Sequence, residues 1–335
     1  MRIPYGTVAL VGAVLLVGVG VLGYALPSDD YLYVPNTARP VADRVAVDGD
    51  ATTDDKGGIY TVDVTVRQAR WAERYVPFLR PDGSTLVPGH AIVARGETFE
   101  DRRVKARAEM ARSEEVASAV AMREGGLEVK ATPRGVLVTS VAGDVPAARV
   151  LEEGDVIVAV SGRPTLTPAA LRAAVGTVEP GEPVRLRIRR TGDLLSRSVK
   201  TVESPEEPGR PIIGIAISQD ARIRLPVDVE IDLGEVGGPS AGLPFALEVL
   251  QELGNDVDRG YRVAATGAIE LDGTVEPVGG LKQKTIGVKD AGVDVFLVPA
   301  GENAEVARRY AGNMRVIPVD SFQQALRALE TLPQK

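Results

Sequence analysis

Twenty-six consecutive residues, Ile3 to Ser28, carry no charge, and Thr7 to Leu26 is almost wholly aliphatic side chains and glycine. That exceeds the roughly 20 residues needed to cross a bilayer core. Arg2 precedes the run, while Asp29 and Asp30 follow it. This bias predicts a single-pass anchor over residues 1–27 in the cell membrane, with a cytoplasmic N-terminus and the other ~300 residues extracytoplasmic. A cleaved signal peptide is the alternative, since Gly23-Tyr24-Ala25 fits a small-x-small cleavage site. Signal cores, however, run about 7–15 residues.

The remaining chain must find its chemistry in a restricted inventory. Among 335 residues there is no cysteine and one histidine, His90. Disulfides, thiolate nucleophiles and cysteine zinc sites are excluded, and no metal site is expected. His90 lies in the loop Pro88-Gly-His90 and reads as structural, which leaves no plausible histidine base for a serine triad. The net charge of −7 is spread along the chain. Nucleic-acid binding needs a basic face and is not expected. No stretch fits G-x4-G-K-[ST], so no nucleotide or other cofactor is expected either.

Beyond the anchor the chain divides by pattern into residues 28–125, 126–204 and 205–335. In the first part, Asp43 to Asp55 holds five aspartates against one arginine and reads as a solvated loop. Ile59 to Val66 alternates with period two and predicts a strand. Phe99 to Glu124 is charged and alanine-rich, without Pro or Gly, and predicts one long helix. The second part predicts a strand over 135–141, a short helix over 146–150, a strand over 156–160, a helix over 168–178 and a strand over 184–190.

The third part holds two glycine-rich stretches. Val236-Gly-Gly-Pro-Ser240-Ala-Gly242 leads into helical spacing from Leu243 to Gly254. Unpaired N–H groups and the positive end of the helix dipole gather at such a start. The amides around Gly238, Ser240 and Ala241 therefore suit an oxyanion hole. The second stretch runs from Ala265-Thr266-Gly to Glu270 and on through Pro277-Val-Gly-Gly-Leu-Lys282-Gln-Lys284. Without histidine, a neutral lysine must activate Ser240, and apolar burial lowers an ammonium pKa. Lys282, Lys284 and Lys289 are the candidates. The first two would point about 200° apart on a helix, so only one can face the serine. Pro244 falls in the first helical turns, where it removes a hydrogen bond; either a kink or a freed carbonyl follows. Asp232, Glu235 and Glu270 read as surface charges.

On these residues the chain resembles two known families. The run from Pro146-Ala-Ala to Leu151-x-x-Gly-Asp-Val-Ile-Val-Ala-Val160 and Gly162-x-Pro164 resembles a PDZ domain of the bacterial protease-associated kind. The resemblance implies a β-rich fold that captures a peptide by strand addition along Val136–Val141. It places Arg134, Gly135, Val136, Leu137 and Val138 in the groove; such domains also act as spacers or clamps. The GPSAG around Ser240, Thr266-Gly267 and GGLKxK ending at Lys284 resemble the α/β proteolytic domain of Lon-type serine proteases. By that resemblance Ser240 is the nucleophile, Lys284 the base and Thr266 the residue that holds the amine. It also implies a homo-oligomer, a hexameric ring. ATP-dependent members carry an aspartate where this chain has Gly237.

Read whole, the chain resembles membrane-anchored PDZ–Lon proteins, of mixed α+β and α/β multidomain class. The function so implied is ATP-independent cleavage of unfolded or extended extracytoplasmic protein and peptide segments. A non-catalytic PDZ adaptor or holdase on an inert scaffold is the alternative. Ile59–Val66 and Phe99–Glu124 are expected to complete the protease sheet, with the PDZ-like region inserted.

Overall fold

The helix Gly242–Glu252 is buried on every side over its first nine residues, with Leu243, Phe245, Ala246, Leu247, Val249 and Leu250 all in the core. Such a helix belongs at the centre of a domain. The computed structural model describes residues 23, 26–47, 57–92, 98–204, 209–231 and 238–335. In it this helix lies between the long helix Phe99–Glu124 and a five-stranded sheet. The sheet runs in the order Arg39–Pro40, Gly58–Thr61, Arg262–Ala265, Val295–Pro299, Arg315–Val319. Its last four strands are parallel, and Arg39–Pro40 joins antiparallel.

Both faces of this sheet are covered. Val263, Ala265, Val295 and Leu297 face the central helix and Phe322–Glu330. The alternate residues Ala264, Phe296 and Val298 face the helices Leu281–Asp290 and Glu302–Tyr310. Parallel strands covered on both faces read as continuous apolar runs, as Val295-Phe-Leu-Val298 does. The long helix has the bounds its sequence predicts, Phe99–Glu124. Thr98 and Asp101 form a capping box at its start. Its first half is charged and largely exposed, and Val116 to Met122 is buried against the central helix.

The run 59–66 is not one strand. Gly58–Thr61 pairs in parallel with Arg262–Ala265, whereas Val64–Arg70 pairs antiparallel with Pro27–Pro35 in a second sheet completed by Thr85–Val87. The break falls where Val62 turns into the core and Asp63 accepts a bond from Asn36 Nδ2 at 2.8 Å. The aspartate-rich stretch is not all loop either. Val45–Val47 pairs with Val229–Ile231, and 48–56 lie outside the described residues.

The PDZ-like part is a sheet ordered Asp193–Lys200, Pro183–Arg190, Val156–Val160, Lys130–Val141, Ile215–Arg224. The helix Pro168–Val175, which ends three residues before the expected Val178, covers a core of Val136, Val138, Ile157, Leu171 and Ile188. The expected helix at 146–150 is a 3-10 turn, Pro146–Arg149.

The edge expected to receive a peptide is not open. Val136–Val141 pairs along its length with the chain's own strand Ile215–Arg224, in register Val138 with Ile217 and Val136 with Gln219. Ile215 and Ile217 pack on the PDZ-like core, while Ala221 and Ile223 pack on the protease core. The strands entering and leaving the PDZ-like part are thus zipped into one ribbon that spans both cores. Arg134 follows suit: its Nε lies 3.8 Å from Asp220 of this internal strand, where a peptide carboxylate was expected.

Among the described residues no helix is long and apolar enough to cross a membrane. The anchor expected over 1–27 lies almost wholly outside the described residues, and Pro27 already begins the strand Pro27–Pro35.

Candidate active site

Ser240 sits in the 3-10 turn Pro239–Ala241 that opens into the central helix, and it is half-buried. The long helix holds this turn from outside. Gly238 N–H donates to Ala106 O at 2.9 Å, and the Ser113 hydroxyl donates to Pro239 O at 3.2 Å. The Gly238 amide is therefore committed and does not serve the expected oxyanion hole. The amides of Ser240 and Ala241 stand in the first turn, where no intrahelical acceptor exists. Gly242 is required by contact: a Cβ there would lie 2.8 Å from Ser113 Oγ and 2.9 Å from Ile269 Cγ2.

Pro244 is the third residue of the helix Gly242–Glu252, in the first turn, where a backbone N–H has no intrahelical acceptor, so it costs the helix no hydrogen bond. The Ser240 carbonyl, ahead of the helix, accepts from Gly267 N–H at 2.9 Å and from the Thr266 hydroxyl at 3.2 Å. Leu243 N–H returns a bond to Gly267 O at 3.0 Å. The first motif is thereby stitched to the second at the residue after the strand Arg262–Ala265.

The third motif enters through the helix Leu281–Asp290. Gly280 caps it with φ 74° against Val64, a conformation and closeness that suit glycine. Lys284 is 4% exposed and its Nζ donates to Thr266 Oγ1 at 3.0 Å. Thr266 is 0% exposed. Its proton is given to Ser240 O, so its oxygen accepts from the lysine. A neutral amine so held keeps its lone pair available for another proton.

Burial lowers the Lys284 ammonium from its ordinary value to about 7, against the opposing pull of Asp63. Lys282 leaves in another direction: its Nζ lies 3.4 Å from Ser84 O and 5.8 Å from the Tyr310 ring centre. Lys289 is exposed. Among the three lysines, Lys284 alone meets Thr266.

Two carboxylates were not foreseen. Asp63, in the break between two strands, exerts its charge on Lys284 although more than 200 residues separate them. Glu270 is no surface charge: burial first, and then the neighbouring Glu276, hold it up at about 7. It lines a cavity of about 320 Å³ beside the Ser240 turn, together with Pro239, Ala268, Glu276, Arg172 and Ser218. Asp232, Glu235 and Gly237 lie outside the described residues. His90 falls in the 3-10 turn Gly89–Ala91.

Two stretches of the chain are similar to known proteins. Residues 218–331 match the family described as the Lon protease (S16) C-terminal proteolytic domain, and residues 120–201 match the PDZ domain family. A Lon protease of Chloroflexus aggregans is 29% identical over 147 residues, 42% of this chain and 18% of that one. Lon protease 1 of Sorangium cellulosum is 33% identical over 111 residues, 30% of this chain and 14% of that one. The chain thus spans less than a fifth of the length of these relatives. The crystal structure of the PDZ domain of an SdrC-like protein from Listeria monocytogenes is 28% identical, covering 25% of this chain and 86% of that one, with a TM-score of 0.23. The chain therefore carries a Lon-type proteolytic domain together with a PDZ domain, and these matches are those of a serine peptidase.

Proposed function

We propose that this chain is an ATP-independent, membrane-anchored serine endopeptidase that cuts unfolded or extended protein segments on the extracytoplasmic side. Lys284 takes the Ser240 hydroxyl proton as Oγ attacks the peptide carbonyl. The amides of Ser240 and Ala241 receive the oxyanion. Lys284 then returns the proton to the leaving amine, and water releases the acyl-enzyme. The observation that carries this reading is the buried Lys284 Nζ bound to Thr266 Oγ1, itself bound to the Ser240 carbonyl. The burial of Lys284, which lowers it to about 7, favours this reading over an inert scaffold.

Lack of a nucleotide-binding motif in this chain supports independence from ATP. The uncharged run 3–28 supports the anchor. The PDZ-like part acts chiefly as a clamp on the strand leaving it, since that strand fills the edge a peptide would need. Substrates then reach Ser240 through the cavity beside Pro239. A homo-oligomer, a hexameric ring on the family resemblance, belongs to the same reading; the mass in solution tests it.

The whole reading is tested by incubating the purified chain with an unfolded protein, beside Ser240→Ala and Lys284→Ala. Cleavage by the wild type alone is expected. If the wild type cuts nothing that both variants spare, the peptidase reading fails.

A further inference from the structure

The chain contains one tryptophan, and it is on the surface. Trp71 is 48% exposed, Tyr75 60% and Phe78 85%, with Leu26 and Leu79 beside them. In a chain with 4% aromatic residues, this placement is not explained by the cores. The helix Trp71–Tyr75 and the 3-10 turn Pro77–Leu79 present Trp71, Tyr75, Phe78 and Leu79 within nine consecutive residues. Trp71 and Tyr75 pack on each other with ring centres 4.8 Å apart.

The patch lies where the uncharged N-terminal run ends. Trp71 N–H donates to Leu26 O at 2.8 Å, and a Cβ on Gly23 would lie 3.2 Å from Trp71 Cε3. The surrounding segment 67–80 carries four arginines and one glutamate. Arg67 pairs with that Glu73, whereas Arg74 lies over the Tyr75 ring and reaches Asp30 at 3.3 Å. Arg80 donates to the carbonyls of Glu73 and Arg74, closing the short helix. Exposed Trp, Tyr and Phe beside an apolar run are the residues that settle at a membrane–water boundary.

We infer that Leu26, Trp71, Tyr75, Phe78 and Leu79 form a docking surface for the phospholipid bilayer, set at the foot of the anchor. This rests on the anchor proposed above. Docking there fixes the height of the active site. The patch is built on the sheet of Pro27–Pro35, Val64–Arg70 and Thr85–Val87, and Thr85 Oγ1 accepts from Gln283 in the helix that carries Lys284. One small sheet then separates the bilayer surface from the catalytic lysine, and substrates are met close to the membrane.

Trp71 is its own reporter. The full chain is reconstituted into vesicles of phosphatidylethanolamine and phosphatidylglycerol, with and without brominated acyl chains. Flotation reads membrane attachment, and tryptophan emission reads docking. The chain is expected to float, with Trp71 emission blue-shifted, protected from acrylamide and largely quenched by the brominated lipid. Tyr75→Ser with Phe78→Ser is expected to float as before while Trp71 becomes open to acrylamide. A chain that floats with Trp71 unquenched by bromine overturns the docking surface and leaves the anchor standing. A chain that does not float overturns both. A blue shift that grows with protein density, without bromine quenching, assigns the patch to contacts between copies and overturns the bilayer.

Discussion

The Thr266 hydroxyl donates to the Ser240 carbonyl at 3.2 Å and accepts from Lys284 Nζ at 3.0 Å, so one side chain ties the serine turn to the lysine. Thr266→Val keeps the shape and removes both bonds. The amine then loses the partner that aims its lone pair. The expected outcome is a fall in kcat of about tenfold, or about 1.4 kcal/mol at the transition state, with little change in KM. Steady-state kinetics on an unfolded substrate checks it; an unchanged kcat means that these bonds do not govern the site.

Asp63 favours the charged form of Lys284, while burial opposes it. Asp63→Asn keeps the shape and an acceptor for Asn36 but removes the charge. The ammonium should then lose its proton more readily. The rising limb of kcat/KM is expected to move to lower pH, with the plateau unchanged. A limb that stays in place would detach Asp63 from the lysine.

Glu248 is completely buried in the central helix, and its carboxyl has no hydrogen-bond partner among the described residues. Burial first, and then Glu252, Asp258 and Asp43, raise it from its ordinary value to about 8. A raised carboxyl pKa in the folded state means that folding holds a proton the unfolded chain releases. Stability therefore falls as pH climbs from about 4.5 towards 8, and levels off above that. Glu248→Gln removes this loss. Thermal unfolding should show a higher Tm for the variant at pH 8 by several degrees, on the order of 1–2 kcal/mol, and a much smaller difference at pH 5. A gap of equal size at both pH values would point to packing alone.

The internal strand at the PDZ edge makes a prediction about amide exchange. Val136–Val141 pairs with Ile215–Arg224 without any added ligand. Both segments should exchange slowly, and together, in the free chain. Rapid exchange at 215–219 beside slow exchange at 156–160 would show that the strand leaves the groove readily and that a peptide can take its place.

Much of the site was legible because its chemistry is local. Gly242 stands two residues after Ser240, and the opposed directions of Lys282 and Lys284 follow from helical geometry. The helix Phe99–Glu124 was legible because a charged, alanine-rich composition without Pro or Gly runs uninterrupted for its whole length. What could not be read depends on pairing between distant segments. Ile59–Val66 alternates like one strand, yet Asp63 breaks it by bonding Asn36, 27 residues away. Ile215–Arg224 shows no sign in its own residues that its first half lies on one core and its second half on another. The Gly238 amide looked free because its acceptor, Ala106, belongs to a helix more than 100 residues upstream. Glu270 looked solvated because burial is a property of the cavity and not of the tripeptide around it.

The claim that Lys284 works as a neutral base for Ser240 is tested most directly by the pH dependence of kcat/KM for peptide-bond cleavage by the wild-type chain. A lysine lowered to about 7 gives a single rising limb centred near pH 7, followed by a plateau. A rate that is flat from mildly acidic to alkaline pH, or that rises only in the ordinary lysine range, would contradict it.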